Sequence, residues 1–213
     1  MADRRAYSSV SVLVVGAGPA GLAAAIKLKT LNRDLDVCVI DKAPGLGQHS
    51  LSGAVLEAQP LFGLLDEAAP GWQQTDAAKE ALGNLIDRDD ILFLPDDQHA
   101  FNILWAIKMA KVFHLGFGQM QHAGDYSLSL SRLVKWMGQI ATGLGVEILA
   151  GFAAKEVVFD PQSGLVTGVK LADQGLDKHG APQPNHLPGE TIQARMVVLA
   201  EGCDGLVTEQ FVF

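Results

Sequence analysis

The sequence predicts an α/β domain on a mostly parallel sheet, and three observations carry that expectation. Short, β-branched apolar runs recur at Val10–Val15, Val37–Asp41 and Met196–Ala200; a glycine-rich turn follows the first run; and helical apolar spacing follows that turn and recurs near residue 140. The 213 residues, 48% hydrophobic and 19% charged, are enough for one domain or slightly more, with a sizeable core. They are too apolar for a disordered chain.

Val10–Val15 reads as a strand buried on both faces. From Pro19, the residues Leu22, Ala25, Ile26 and Leu28 cover one helical face, and the polar turn 32–36 leads into a second strand, Val37–Asp41, completing one βαβ unit. Residues 6–26 carry no charge, yet Ser8, Ser9, Ser11, Gly16, Gly18, Pro19 and Gly21 argue against a membrane span. With the first strand starting near Val10, no secretory or transit segment is expected, and the start reads as cytosolic.

A second helix is expected from Arg132 to Leu144, capped by Ser129 or Ser131 and striped by Leu133, Met137, Ile140 and Leu144. A strand at Val146–Leu149 follows. Ala153–Asp160 and Leu165–Leu171 read as an antiparallel hairpin turned at 161–164, expected to sit apart as a small layer. Asp173–Gly189, broken by Gly175, Gly180, Pro182, Pro184 and Pro188, reads as an exposed loop before a last strand from Thr191 to Ala200. Between Phe93 and Met120, Phe101, Ile103, Trp105, Ile107 and Met109 fit a strand with one apolar side. Phe101, Trp105, Met109, Val112 and Phe113 fit a helical stripe nearly as well, and Phe117, Lys108 and Lys111 lie in the same stretch. A buried core helix and a contact lying on a membrane surface both remain open for it.

The balance of 16 Lys+Arg against 24 Asp+Glu, a net charge of -8, argues against a general nucleic-acid binder. The two cysteines, Cys38 and Cys203, exclude a disulfide scaffold, favour a reducing compartment and cannot by themselves ligate an iron–sulfur cluster. Cys203 is expected to be a small buried hydrophobe.

Between first strand and first helix lies Gly16-Ala17-Gly18-Pro19-Ala20-Gly21. Gly16 permits the tight turn, Gly18 removes a Cβ from the space of a pyrophosphate, and Gly21 lets helix and strand approach closely. The helix amides then face the phosphates. Asp41, about 20 residues on at the end of the second strand, is placed to accept hydrogen bonds from an adenosine ribose. A bare motif of this kind is weak, but strand, helix and acid together point to a Rossmann-like dinucleotide site. The late strand Val197-Val198-Leu199-Ala200 followed by Gly202, Asp204 and Gly205 resembles the second fingerprint of glutathione-reductase-type flavoproteins, which favours FAD over NAD; its bland alternative is a strand with an Asp-Gly turn.

Several blocks resemble the electron-transfer flavoprotein:ubiquinone oxidoreductases: Val14 to Leu22; Gly47-Gln48-His49-Ser50-Leu51-Ser52-Gly53-Ala54; Leu133 to Met137; Gly145 to Ile148 with Gly151 to Ala154; and Thr167 through Ala200-Glu201-Gly202-Cys203. The resemblance implies an FAD enzyme at a membrane surface, taking electrons from a reduced electron-transfer flavoprotein and passing them to ubiquinone, with a [4Fe-4S] cluster in the full-length family whose ligands are absent here. It places Gly16, Gly18, Pro19, Gly21, Asp41 and Lys42 at the adenosine end of FAD and Gly202, Asp204 and Gly205 at its middle. His49, Ser50 and Gly53 fall near the flavin side, although His49 reads equally well as a loop residue bonding its own backbone. No catalytic acid or base and no metal ligand are implied, because the flavin carries the chemistry.

On this reading residues 1–213 form a partial FAD-binding domain. Residues 88–125 are its membrane- or quinone-side insertion, and 153–195 an antiparallel layer plus loop. The implied location is peripheral, on the cytoplasmic side of a bacterial inner membrane. The sequence reads as truncated relative to the family, so FAD retention is expected to be weak and quinone reduction absent in this chain alone. Two other readings stand beside it: a different FAD oxidoreductase, such as a monooxygenase or prenyl reductase, and a non-catalytic remnant.

Overall fold

The structure is a computed structural model that describes residues 9–50, 52–114, 121–203 and 205–212. Ser8, Leu51, Phe117, Met120 and Asp204, which the sequence reading singled out, lie outside the described residues. The chain opens with strand β1 (Val10–Val15), helix α1 (Pro19–Leu31) and strand β2 (Val37–Asp41), as the βαβ reading requires. There follow β3 (Ser52–Leu56), α2 (Gln59–Ala68), a 3-10 turn (Trp72–Gln74), α3 (Asp76–Leu82), and the two-residue strands β4 (Asn84–Leu85), β5 (Leu92–Phe93) and β6 (Phe101–Asn102). Then come α4 (Leu104–Val112), β7 (Tyr126–Ser129), α5 (Leu130–Gly143) and β8 (Glu147–Ala150). The chain continues through β9 (Ala154–Phe159), β10 (Val166–Leu171), β11 (Gln174–Leu176), β12 (Pro182–Leu187), β13 (Thr191–Leu199) and α6 (Leu206–Val212).

The main sheet has six strands in the order β8-β2-β1-β13-β10-β9. Its first four strands run parallel, with β1 between β2 and β13, so the first and last apolar runs of the sequence are neighbours. Alternation along β1 and β2 serves both faces. Val12, Val14, Val37 and Val39 pack with Leu22, Ala25 and Ile26 of α1 and Leu133, Val134, Met137 and Ala141 of α5. Leu13, Val15, Cys38 and Ile40 meet Val157, Val169, Leu171, Ile192 and Val207 on the other side. Full burial of a side chain such as Leu13 contributes about 1.5–3 kcal/mol, so these strands carry much of the stability. Lys29, buried at the end of α1, donates to the carbonyls of Arg33 (2.6 Å) and Leu35 (3.0 Å) and closes the turn into β2.

The expected hairpin forms, but it does not stand apart. β13 is long enough to pair twice: Thr191–Gln193 run antiparallel to β10, and Ala194–Leu199 run parallel to β1. One continuous strand therefore joins the antiparallel layer to the parallel sheet. The hairpin turn is fixed by Asp160, whose carboxylate accepts from the amides of Gln162 (3.1 Å) and Ser163 (2.7 Å) and from the Ser163 hydroxyl (2.8 Å). Those bonds, the one from the Ser163 amide first, hold its carboxyl below the usual carboxylate range.

Two other expectations need correction. Asp173–Gly189 is not a plain loop, because β11 and β12 pair there as an antiparallel ribbon. Its turn is closed by Asp177, which accepts from the amides of His179 (2.8 Å) and Ala181 (2.9 Å), and Gly175, at positive φ, takes up the irregular register. Pro182 and Pro184 are tolerated because a two-stranded ribbon leaves one edge of each strand unpaired. The second is the core-helix alternative for 93–120: α4 buries Ile107, yet Trp105 is 70% exposed and Met109, Val112 and Phe113 are exposed with it. The helical stripe is real and faces outward. The long helix α5 starts with Ser129 at its cap position, although that side chain makes no capping hydrogen bond.

A third layer stands beside α1 and α5. Beside the small sheet β3-β7-β4 and helices α2 and α3, Tyr126, Phe62, Trp72 and Trp136 form a row whose rings lie 4.8–5.8 Å apart in successive pairs. Trp72 donates its indole N–H to Asp66 at 2.8 Å, and Thr75 caps α3 by accepting from the Ala78 amide at 3.2 Å.

Candidate functional site

A cleft of about 650 Å³ opens at the carboxyl ends of β1, β2 and β13. That is where ligands bind in open parallel sheets. Gly16, Gly18, Pro19, Asp41, Lys42, His49, Ser50 and Gly202 all line it, so eight of the sequence-derived candidates converge on one space.

The three motif glycines have separate physical tasks. Gly16 sits at φ +105°, a conformation that L side chains rarely adopt, and a Cβ there would stand 2.8 Å from the Ala200 carbonyl carbon. Gly21 is buried; a Cβ on it would collide with the Gly16 carbonyl and come within 3.2 Å of Val14 Cγ1. It does not line the cleft but seats α1 on β1. Gly18 has an ordinary backbone, φ -73°, ψ 179°, and a Cβ there would meet nothing within 4 Å. Its missing side chain therefore leaves open space in the cleft at the start of α1. Pro19 is the first helical residue, and the bond from the Leu22 amide to the Gly18 carbonyl (3.0 Å) is the first turn of the helix. The Ala20 and Gly21 amides accordingly have no partner inside the helix at the cleft end.

Asp41 is half-buried at the end of β2. Its Oδ2 accepts from the Ala17 amide at 2.6 Å and its Oδ1 from the Ala43 amide at 2.7 Å. The carboxylate thus ties the glycine loop to the chain beyond β2 and keeps further acceptor sites for a sugar hydroxyl. Beyond β8 the chain crosses this strand end: the Phe152 amide donates to the Asp41 carbonyl and the Gly151 amide to Ala43, both at 2.8 Å. Ala43, Phe152, Ala153 and Ala154 then give the cleft an apolar wall suited to a flat base. Sequence reasoning did not pick these as site residues, because small apolar side chains carry no chemical signature until the topology brings them together.

The later segment is placed less as expected. Gly202 lines the cleft, but Gly205 is buried against Thr208 and Glu201 at the start of α6. Glu201, not singled out from sequence, lines the cleft and accepts from the Thr208 amide (2.8 Å) and hydroxyl (2.9 Å). Cys203 is exposed and not buried as expected, since β13 ends at Leu199 and leaves the cysteine in the turn before α6. Cys38 is the buried thiol, and burial, with Glu147 and Asp36 adding to it, pushes it up to about 12. Gly53 lies exposed in β3, at an irregular step of the small sheet and outside the cleft lining.

These features fit FAD. The open space over Gly18, the helix start beside it, the fixed carboxylate of Asp41 and the apolar wall match the pyrophosphate, ribose and adenine of a dinucleotide in that order. A [4Fe-4S] cluster does not fit the residues present: the sequence holds two cysteines, and among the described residues no group of three His, Cys, Asp or Glu could hold a metal ion.

Comparison with known proteins agrees with this fold. Residues 14–77 match the NAD(P)-binding Rossmann-like domain family. The chain is 39% identical over 98% of its length to the mitochondrial electron transfer flavoprotein-ubiquinone oxidoreductase of Oryza sativa, covering 33% of that protein. It is 36% identical to the Pseudomonas aeruginosa and human proteins of the same name, over 98% and 97% of this chain and 36% and 31% of theirs. The chain therefore spans about a third of the length of these curated relatives. Among solved structures, a myxobacterial FAD-dependent halogenase (TM-score 0.60, 17% identity, 95% of this chain and 39% of that one) shares the fold. So does aklavinone-11 hydroxylase in complex with FAD and aklavinone (TM-score 0.56, 19% identity, 100% of this chain and 36% of that one).

Proposed function

We propose, for a chain that belongs to the electron transfer flavoprotein-ubiquinone oxidoreductase family over the third of its relatives' length that it spans, that the cleft holds FAD. The whole protein would then take electrons from a reduced electron-transfer flavoprotein and deliver them to ubiquinone. The observation that carries the cofactor assignment is Gly18: a Cβ-free position with ordinary backbone, opening on unfilled space at a helix start. Gly16 and Gly21 shape the turn, Asp41 and Lys42 take the adenosine end, and Gly202 lies at the middle of the cofactor. Asp204 and Gly205 are assigned to that middle by resemblance. His49 and Ser50 approach the flavin side, with Gly53 beyond them.

When bound, FAD supplies the redox chemistry, and the protein contributes orientation and electrostatics. Asp41 orients by holding the Ala17 amide, which fixes the loop under the phosphates. Phe152 and the neighbouring alanines exclude water from one side of the base. No proton donor or acceptor among these residues is needed for the transfer.

Residues 88–125 are assigned to the membrane or quinone side. Phe93, Leu94, Phe101, Trp105 and Phe113 are each more than half exposed, with the exposed Lys108 on the same helix as Trp105. Among the described residues no helix is long and apolar enough to cross a membrane, so the contact proposed is peripheral. Residues 153–195 carry the hairpin and ribbon, and Ala153 and Ala154 among them line the cleft.

Titration with FAD, with ADP as competitor and NAD as comparator, tests the cofactor assignment. Weak but saturable FAD binding displaced by ADP is expected, and absence of any flavin binding would overturn it. The electron-transfer reading is tested on a full-length relative carrying these residues, by quinone reduction with a reduced donor flavoprotein.

A further inference from the structure

Residues 42–50 carry five cleft-lining positions, Lys42, Ala43, Gly47, His49 and Ser50, on chain without helix or strand. Internally this loop has only two turn bonds, from the Gln48 amide to Gly45 and from the Ser50 amide to Gly47, each 3.2 Å. At its start it is anchored by the Gly151 amide on Ala43. Its far half is held from outside the cleft, by α5. Gly138 is buried on that helix, and a Cβ there would collide with Leu46 Cδ1 and touch Ile148 Cδ1 at 3.9 Å. Glycine is among the poorest residues inside a helix, so a buried one is explained by what it admits. Here it admits the Leu46 side chain, which packs onto the core through the notch. One residue on, Gly47 is buried at φ +73°, and a Cβ on it would stand 2.9 Å from Ser131 Oγ and 3.1 Å from Ser131 Cα. Gly143, the last residue of the same helix, would meet nothing within 4 Å and has no such task.

We infer that Gly138 and Leu46 form a knob-and-notch seat that positions the His49–Ser50 segment against the flavin side of the cofactor. Neither residue lines the cleft, so both are positioning residues. The inference rests on the cofactor reading for its functional consequence, while the seat itself can be measured without any ligand.

The test uses the purified chain as wild type, Gly138→Ala, Leu46→Ala, the double variant, and Gly143→Ala as control. Gly138→Ala is expected to speed hydrogen exchange at the Gln48 and Ser50 amides about tenfold without lowering the protection of β1. It should weaken FAD binding about tenfold while leaving ADP affinity within about twofold. Shortening the knob should compensate, so the double variant recovers exchange and FAD affinity toward wild type, and Gly143→Ala changes neither. If Gly138→Ala fails to fold, Leu46→Ala alone decides, because losing the knob also frees the two amides. Wild-type exchange at Gln48 and Ser50 in the single variants, or no recovery in the double one, would overturn the seat. A wild-type chain that binds no FAD would instead overturn the cofactor reading, with the exchange data still deciding the seat.

Discussion

The β1–α1–β2 unit and the segment from Leu92 to Phe113 are both rich in large apolar side chains, and the molecule treats them in opposite ways. In the first, Leu13, Val14, Leu22, Ile26, Val39 and Ile40 are wholly buried, because each sheet face meets a covering layer. In the second, two-residue strands and a short helix leave Phe93, Phe101, Trp105, Met109 and Phe113 facing outward, with Ile107 tucked in. Apolar content therefore does not fix burial. What decides it is whether the topology supplies a second layer. The contrast places the stabilising burial in one region and leaves the apolar side chains of the other exposed.

Substitutions should separate the two sharply. Gly21→Val should be the most damaging, since its branched side chain would drive α1 off β1, and little folded protein is expected by circular dichroism. Leu13→Ala should lower unfolding free energy by about 2–5 kcal/mol, whereas Trp105→Ser should shift it by no more than about 0.5 kcal/mol, both read by urea denaturation. A large loss at Trp105 would mean that the outer segment is part of the core after all. Trp105→Ser should instead reduce co-sedimentation with anionic lipid vesicles, the property that the exposed stripe predicts.

The core also carries a pH signature on the alkaline side. Cys38 stays neutral in the folded state until about 12, while its ordinary value is 9.0, so the unfolded chain ionises first as pH rises. Stability from this group is complete below 9.0 and falls as pH climbs toward 12, by up to roughly 4 kcal/mol. Cys38→Ala should flatten that part of the curve, and an unchanged slope would refute the assignment. In the native protein the exposed Cys203 should react with a thiol reagent well before Cys38. A smaller effect is expected at the cleft rim: Asp41→Ala leaves the Ala17 and Ala43 amides unpaired and should cost about 1–3 kcal/mol in thermal unfolding.

How much of this was legible in the sequence follows the same division. The glycine turn, Asp41 and the neighbouring apolar runs are local signals, and the cleft assembles from them. The hairpin was legible in its turn residues, but its junction with the parallel sheet was not, because nothing local in Thr191–Leu199 says that one strand pairs on both sides in opposite senses. The ribbon at 174–187 was misread because prolines weigh against strands only where both edges are paired. For residues 101–113, strand and helix periodicities coincide, and the answer used both: two residues of strand, then a helix. Leu46 on Gly138 was invisible, being a contact between a loop and a helix some ninety positions on. Cys203 went wrong by one turn, since the apolar run ends before it.

If Gly21 serves packing and Gly18 serves a ligand, FAD titration of Gly18→Val beside its thermal melt separates the two tasks. The backbone at residue 18 accepts a branched side chain, and a Cβ there meets no described atom within 4 Å, so the melting temperature should match wild type. FAD affinity should fall at least about tenfold, because the side chain takes the room of the pyrophosphate. A Gly18→Val chain that binds FAD as tightly as wild type would contradict the account.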